Sequence, residues 1–536
     1  MKTQDRPSER APDPAPVAAA TVRLDRRIVL AGGAIGIVAA AVAIGVGQLV
    51  AGIVNPQAAP LLAVGQGAID LTPEWLKSFA IRTFGQNDKA VLLGGIAAVL
   101  LVIAVALGIA SIRRPRVAVG GLVAFGAVGV AAALSRPTAT GVDALPAIAA
   151  ALAAGLALGM LRRAIVPAST SSDGRPPEDE GWVMDRRRFF LTGAAGLVAA
   201  VAAGGVGNLF ARRLRADESR AAVAIPAPAS PAVPAEGAEI SVPGLGPFFT
   251  PNDRFYRVDT ALLVPAVMAE DWRLRVHGMV DREIELDYGQ LLARPLIERD
   301  TTLTCVSNPV GGHYAGNARW IGAPLTPLLE EAGVRPGADQ IVSRSVDGFT
   351  IGTPTAIAMD GRDAMLAVAM NGEPLPIEHG FPVRMIVPGL YGYVSAMKWI
   401  VDIELSTFDA FDPYWIQRGW AERAPVKTMS RIDTPSPFLD LRPGEVSIAG
   451  VAWAQHVGIE RVEVAIDDGP WLQADLAAED TIDTWRQWVY RWNATSGEHR
   501  LSVRATDRSG QTQTTERAEP FPDGATGHHT IVVRVA

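Results

Sequence analysis

Cysteine is nearly absent from this chain: Cys305 is the only one in 536 residues. No disulfide can form within the chain, and no C-x-x-C or C-x-x-C-H motif is available to hold zinc or attach a haem. Histidine is scarce too. All seven (His277, His313, His379, His456, His499, His528 and His529) lie beyond residue 276, so none falls in the apolar first 211 residues. Intramembrane haem needs axial ligands, and transport or proton relay needs ionisable groups. No haem is therefore expected, and that half reads as an anchor or as a docking surface for a redox partner. The net charge is −7 and no basic stripe interleaved with aromatics occurs, which argues against nucleic acid as a partner. No G-x-S-x-G elbow is present, so Ser-His-Asp hydrolysis has little support.

What the chain has in excess is apolar surface. At 49% hydrophobic, 20% charged and a mean hydropathy of +0.19, it is too apolar for an ordinary soluble enzyme. The excess sits in five runs, about Ile28–Val54, Ala90–Ile112, Val117–Leu134, Ala144–Leu161 and Phe189–Phe210. Each approaches or exceeds the roughly 18–20 residues that cross a hydrocarbon core. Arginines flank them: Arg23, Arg26 and Arg27; Arg113, Arg114 and Arg116; Arg162 and Arg163; Arg186, Arg187 and Arg188. Placing all four clusters inside gives one consistent path, with a cytoplasmic N-terminus and everything after residue 215 outside. The expectation is a multi-pass protein of the cell membrane with its remaining domains on the extracytoplasmic side.

Within the outer loop Asn55–Lys89, Leu71–Leu76 reads as a short interfacial helix, with Thr72 as N-cap, Pro73 in the first turn and Trp75 as anchor. Asp185-Arg186-Arg187-Arg188-Phe189-Phe190-Leu191-Thr192 is similar to a twin-arginine export signal, although internal. Such a route carries a folded domain, as loading a cofactor in the cytoplasm would require.

Five regions are expected: residues 1–166, a membrane domain with four spanning helices; 167–215, a cytoplasmic linker (including polar Ser169–Gly181), the twin-arginine-like motif and the fifth helix; 216–247, an Ala/Pro-rich spacer that would lift the next domain off the membrane; 248–410, an α+β domain; and 411–536, a β-sandwich of immunoglobulin type. Alternation supports strands at Trp272–Gly278, Val383–Val387 and Trp399–Leu405, and a helix at Leu325–Ala332 ended by Gly333. Short alternating strands at Val446–Ala454, Arg461–Ile466, Gln487–Trp492, Arg500–Ala505 and His529–Val535 carry the sandwich reading, without the usual cysteine pair.

The outer half offers one thiol, several cations and glycine-rich loops. Cys305 ends a β-branched run, Thr301-Thr302-Leu303-Thr304, just before Gly311-Gly312. It reads as a small buried hydrophobe, as a nucleophile paired with His313 or His379, or as a thiolate on a soft transition metal. One sulfur cannot hold a metal alone, so a cofactor would have to bring the remaining ligands.

Asn371-Gly372-Glu373-Pro374-Leu375-Pro376-Ile377-Glu378-His379-Gly380-Phe381-Pro382-Val383-Arg384, then Val387-Pro388-Gly389 and Lys398-Trp399, resembles the molybdopterin-binding signature of the sulfite oxidase family. Phe255-Tyr256-Arg257 resembles its first cofactor-binding stretch, Thr304-Cys305-Val306-Ser307-Asn308 its metal-binding cysteine loop, and Gly316-Asn317-Ala318-Arg319-Trp320-Ile321-Gly322 the segment after it. The match covers roughly residues 248–536. The resemblance implies molybdenum bound to the two dithiolene sulfurs of molybdopterin, to the Cys305 thiolate and to oxo groups. It implies cofactor contacts from Phe255, Tyr256, Arg257, Asp347, His379, Arg384 and the Ala396-Met397-Lys398 backbone. It makes Cys305 and Arg257 the catalytic pair, with Arg257, Phe349 and Arg319 lining the substrate pocket, and it implies a homodimer through the C-terminal domain.

Two departures bear on substrate. Pro309-Val310 stands where the family carries two arginines, and Phe349 stands where it carries a tyrosine. The expected reaction is oxygen-atom transfer at sulfur, sulfite to sulfate, with electrons passing to a separate partner. The alternatives are reduction of a sulfoxide or an S-/N-oxide at the same metal, and a non-enzymatic membrane-tethered scaffold.

Overall fold

The computed structural model describes residues 26–73, 76, 79, 83–84, 88–167, 182–184, 186–210 and 213–536. Arg23, Trp75, Ser169–Gly181 and Asp185 lie outside the described residues. The first half is helical: α1 (Arg26–Val54), α2 (Pro60–Leu71), α3 (Asp88–Arg113), α4 (Pro115–Leu134), α5 (Leu145–Arg163) and α6 (Arg186–Phe210), followed by α7 (Arg213–Ala222). All but α2 and α7 are long and apolar enough to cross a membrane, by length and composition. Helix α1 is central and packs on α3, α5 and α6. It does so through small residues: a side chain at Gly36 would collide with the Ala104 carbonyl of α3, and one at Gly52 with the Gly207 carbonyl of α6.

Within the loop after α1, Pro60 opens α2, an ordinary place for proline, and Thr72, in extended conformation, is its C-cap; beyond it Leu76 is helical and its N–H donates to Pro73 O at 3.1 Å. The Thr72 hydroxyl donates backward to Ala68 O at 2.6 Å, the i−4 bonding available to threonine at a helix end.

The central α/β region contains β1 (Arg273–Gly278), β2 (Ile284–Asp287), β3 (Ile297–Thr304), β4 (Ala315–Pro324), β5 (Gln340–Ser345), β6 (Thr350–Pro354), β7 (Met365–Met370), β8 (Glu373–Pro374), β9 (Arg384–Ile386) and β10 (Ile400–Ser406). One sheet runs β8-β7-β4-β3, with β9 also on β7; the other runs β2-β1-β10-β5-β6. Within these two sheets only β10 and β1 pair in parallel. Every residue of β7 is buried, and Trp272, Trp320 and Phe381 fill the core beside it. Helix α8 (Leu325–Ala332) stops where expected, because Gly333 takes a left-handed φ of 70°.

The Ala/Pro segment is not a free spacer. It begins as α7, whose Arg220 donates to Pro374 O (2.7 Å) and Leu375 O (2.9 Å) and pairs with Glu373. Further on, Ala229 N donates to Leu296 O and Glu298 N to Ser230 O, which straps the segment along the start of β3. A proline-rich chain has few donors, so a sheet edge is where it can lie.

A β-sandwich follows. One sheet holds β11 (Met429–Thr434), β12 (Gly444–Trp453), β15 (Arg486–Ala494) and β14 (Asp475–Leu476); the other holds β13 (Ile459–Ile466), β16 (Gly497–Asp507) and β17 (His529–Val535), with short flanking strands. Ile448 and Trp488 of the first meet Val462, Leu501 and Val533 of the second. The boundary lies later than 410: Trp420 and Ala424 are buried in the α/β core, and β11 is the first sandwich strand. The sandwich also grips the α/β region. Gln455 Nε2 donates to Thr304 Oγ1 at 2.7 Å, and Trp485 N to Thr302 Oγ1 at 2.7 Å.

At the same interface His529 Nδ1 accepts from Ile432 N at 3.0 Å, which fixes the neutral tautomer with its proton on Nε2. Burial, with Arg431 adding, pushes His529 from its ordinary 6.5 down to about 4. The folded value lies below the unfolded one, so protons favour the unfolded chain. Stability contributed by the neutral ring is complete above about pH 6.5 and drains away toward pH 4. Lowering the pH from 7 to 5 should cost about 2 kcal/mol through this group, and His529→Gln should remove that component from the pH dependence of melting. An unchanged slope in the variant would rule His529 out as the acid-sensitive group.

Candidate active site

Cys305 follows directly on β3, where the strand turns: Asn308 N donates to Cys305 O (3.0 Å), and Cys305 N to Tyr314 O (2.9 Å). The buried Asn308 side chain closes the turn by accepting from Tyr314 N at 2.9 Å. The thiol is 8% exposed. Burial pushes it up, while the Ser307 N–H and hydroxyl and the Lys398 charge pull it down. Burial wins, so the thiol sits above its ordinary value, and Ser307 and Lys398 are the groups that would support a thiolate once a metal binds it.

Three cations stand in this region, Lys398 and Arg257 paired with Asp259 and Arg384 without an ion pair among the described residues. Arg384, on β9, is 5% exposed. Its Nη1 donates to His379 O (3.2 Å), its guanidinium lies over Trp320 (5.0 Å), and its Nε has no partner. It forms no ion pair among the described residues, and burial pushes it down to about 10. Lys398 bonds Asp259 Oδ2 at 2.8 Å, and Arg257 Nε bonds the same oxygen at 2.8 Å. Burial drives Lys398 down to about 8, against the pull of Asp259. Burial would raise Asp259, yet Lys398, Lys89 and Arg257 hold it well below the usual carboxylate range. Asp347 is half-buried nearby with its carboxyl pushed up, first by desolvation and in part by Asp259.

Aromatic rings and glycines shape the cleft. Phe255 stacks on Tyr256 (5.3 Å) and meets Trp320 and His379 edge-on. It reaches that position because Gly316 of β4 has no side chain; a Cβ there would press into the Phe255 ring. Gly380, at φ 112°, lets the His379 turn pass close to Lys398 and Arg384. His379 Nε2 donates to Asn252 O at 3.1 Å, and burial, with Arg384 adding, drives it down to about 4, so it stays neutral. The Ala396–Lys398 backbone lies alongside: Ala396 N donates to Gly392 O, and Met397 O accepts from Met385 N.

One expected pocket cation is turned away. Arg319 neighbours Trp320 on β4, so the two side chains point to opposite faces. Trp320 lies under Arg384; Arg319 makes a two-pronged pair with buried Asp300 (2.8 and 2.7 Å) and lies over Phe249. It is therefore not a pocket cation. Phe349 packs on Tyr414 (5.3 Å) and lines a cavity of about 80 Å³ with Asp347 and with residues of the helical half. His313 lies toward Arg431 and Asp433 of the sandwich. Asp259 and Lys89 were missed. Asp259 had a signal, as an acid two residues after Arg257 in extended chain; Lys89, 170 residues away, had none. A groove of about 740 Å³ beside Glu218, Met268 and Tyr288 contains none of these groups.

The arrangement fits an anionic, sulfur-rich cofactor. No group of three His, Cys, Asp or Glu able to hold a metal exists among the described residues, so Cys305 would be one ligand beside others brought in. The uncompensated Arg384, with Arg257 and Lys398, suits a phosphate-bearing pterin.

Comparison with known proteins agrees. A model of the oxidoreductase molybdopterin binding domain matches residues 261–415. The mitochondrial sulfite oxidase of Drosophila melanogaster is 30% identical over 303 residues, which cover 47% of this chain and 52% of that protein. The sulfite oxidase of Gallus gallus is 30% identical over 315 residues, covering 50% of this chain and 68% of that protein. An uncharacterized oxidoreductase, YuiH of Bacillus subtilis, is 33% identical over 152 residues, covering 28% of this chain and 73% of that protein. The chain thus spans only about half the length of the fly enzyme. Among solved structures, the sulfane dehydrogenase SoxCD from Paracoccus pantotrophus is 23% identical with a TM-score of 0.48, covering 54% of this chain and 84% of that one.

Replacing Arg384 by methionine separates a binding residue from a structural one. Even a buried ion pair can often be replaced by apolar side chains of similar volume at no cost, or with a gain of about 1–4 kcal/mol, and Arg384 lacks that compensation. Arg384→Met should hold or raise the melting temperature of the unloaded chain while abolishing cofactor retention. A melting temperature several degrees lower would make Arg384 structural.

Proposed function

The chain belongs to the sulfite oxidase family of molybdopterin-binding oxidoreductases, and from that premise we propose a membrane-anchored enzyme that transfers oxygen at sulfur, oxidising sulfite to sulfate. One observation carries the reading: the chain's single thiol faces a buried cluster in which Arg384 has no counter-anion among the described residues. Molybdenum on molybdopterin, when bound, supplies two-electron oxygen-atom transfer. The chain's own residues do the rest. Cys305 is the permanent protein ligand. Arg384, Lys398 and Arg257 hold the anionic cofactor, and the stacked Phe255, Tyr256 and neutral His379 line it and exclude water. Arg257, whose side chain is 33% exposed, is the cation left to face an anionic substrate, an electrostatic role. Overall, sulfite and water give sulfate, two protons and two electrons, which pass to a separate acceptor.

The path of the helices supports an extracytoplasmic active domain. Arg113, Arg114, Arg116, Arg162, Arg163 and Arg187 are exposed at one end of the bundle. The α/β region meets the other end, near Asp70, Lys89 and Pro137. The twin-arginine-like stretch, export of a loaded domain, an immunoglobulin-type sandwich and a homodimer through it belong to the same reading.

A second reading, reduction of a neutral sulfoxide or S-/N-oxide, is favoured by the cation count. Arg319 is withdrawn onto Asp300, Pro309-Val310 brings no charge, and Phe349 brings no hydroxyl. Turnover of sulfite with a one-electron acceptor, against turnover of a sulfoxide with a reduced dye, decides between them; the first assay is expected to be positive. Cys305→Ser should abolish turnover in either assay and leave the melting temperature within a few degrees. Full activity in that variant would overturn the ligand assignment.

A further inference from the structure

Lys89 is the second residue of α3, in the membrane half. The first turn of a helix disfavours a cation, because the unpaired N–H groups already carry positive charge. Here the ammonium reaches out of the bundle: Nζ lies 2.6 Å from Asp259 Oδ1 and 2.8 Å from Ala261 O. Asp259 is only 5% exposed at its side chain, and its other oxygen is already shared by Lys398 and Arg257. Both oxygens of this buried carboxylate are thus engaged, one by the membrane half and one by the two cofactor-pocket cations.

The geometry is held by independent contacts between the halves. Tyr414 Oη donates to Asp70 Oδ1 of α2 at 2.9 Å. Gly348, beside Asp347, is backed so closely by Pro137 and Thr138 that a side chain would not fit. Leu262 packs where α2 has Gly65. The helical half is thereby seated against the wall of the cofactor cleft.

We propose that Lys89 is a positioning residue of the cofactor site, so that the membrane half completes a pocket built in the outer domain. Lys89 anchors Asp259 and the Asp259–Ala261 main chain, and Asp259 in turn aims Arg257 and Lys398 into the cleft. Without it the buried carboxylate keeps only the weaker Arg257 Nη2 contact (3.4 Å) on Oδ1, and the two pocket cations lose their fixed anchor. The proposal rests on the cofactor assignment above.

The test compares the full-length membrane protein with Lys89→Met, Lys89→Arg and Asp70→Asn. Molybdenum and pterin per chain are measured after purification, followed by the rate of pterin loss on dilution. Outer-shell partners of metal sites typically change affinity about ten- to hundredfold, so Lys89→Met is expected to lose pterin at least tenfold faster, with Lys89→Arg restoring retention. Asp70→Asn, which loosens a contact between the halves without touching Asp259, is expected to retain pterin. Equal losses in Lys89→Met and Asp70→Asn would mean that Lys89 merely docks the halves, and unchanged retention in Lys89→Met would likewise overturn the proposal. Wild-type chain free of molybdenum and pterin would sink the functional reading together with this one; loaded wild-type with an indifferent Lys89→Met sinks this one alone. Melting curves identify a variant that fails to fold, and there Lys89→Gln takes the place of Lys89→Met with the same expected loss.

Discussion

A buried guanidinium with no counter-ion among the described residues is the constraint around which this molecule is arranged. Arg384 has lost its water and gained a backbone carbonyl and the face of Trp320. Neither replaces an anion, and burying an unpaired charge costs several kcal/mol. The fold tolerates that cost because β9 and the Gly380 turn are locked into the surrounding core, with Phe381, Val383 and Met385 fully buried on either side of Arg384. A site that is electrostatically incomplete on its own is complementary to something negative. Asp259 plays the opposite part, keeping Arg257 and Lys398 in place while leaving the pocket as a whole positive.

The other parts act on this cleft from three directions. From one side the sandwich holds the end of β3, where Gln455 and Trp485 bond Thr304 and Thr302, so the Cys305 turn is braced by a domain that contributes no side chain to the charged cluster. From a second side the Phe255–Tyr256 stack lies on β4. From the third, the helical half presents Lys89 and the loop after α4. A single-domain view of the site would miss two of these supports.

Much of the architecture could be read from local chemistry. Five apolar runs became five helices with ends within a few residues of those expected, because length and hydropathy alone decide that class of segment. Leu325–Ala332 and His529–Val535 came out with the expected ends, one stopped by a left-handed glycine and the other shaped by strict alternation. The errors cluster where tertiary contacts override composition. The Ala/Pro segment reads as a spacer, yet β3 captures it. Trp420 lies beyond the expected boundary because the α/β core still had room for its ring.

The residue types of the candidate site, a lone thiol with His379, Arg384 and Lys398 in a motif of defined spacing, were determined by the linear order of the chain, as were its family and the apolar character of its first half. Which cations face the cleft was decided only in three dimensions. Arg319 and Trp320 are adjacent in sequence and point to opposite faces of one strand, so one is consumed by Asp300 and the other floors the Arg384 pocket. Asp259 and Lys89 are 170 residues apart and meet at 2.6 Å. Pleat direction and long-range docking are properties of the folded chain, since each depends on where a distant segment comes to rest, and no local pattern encodes that.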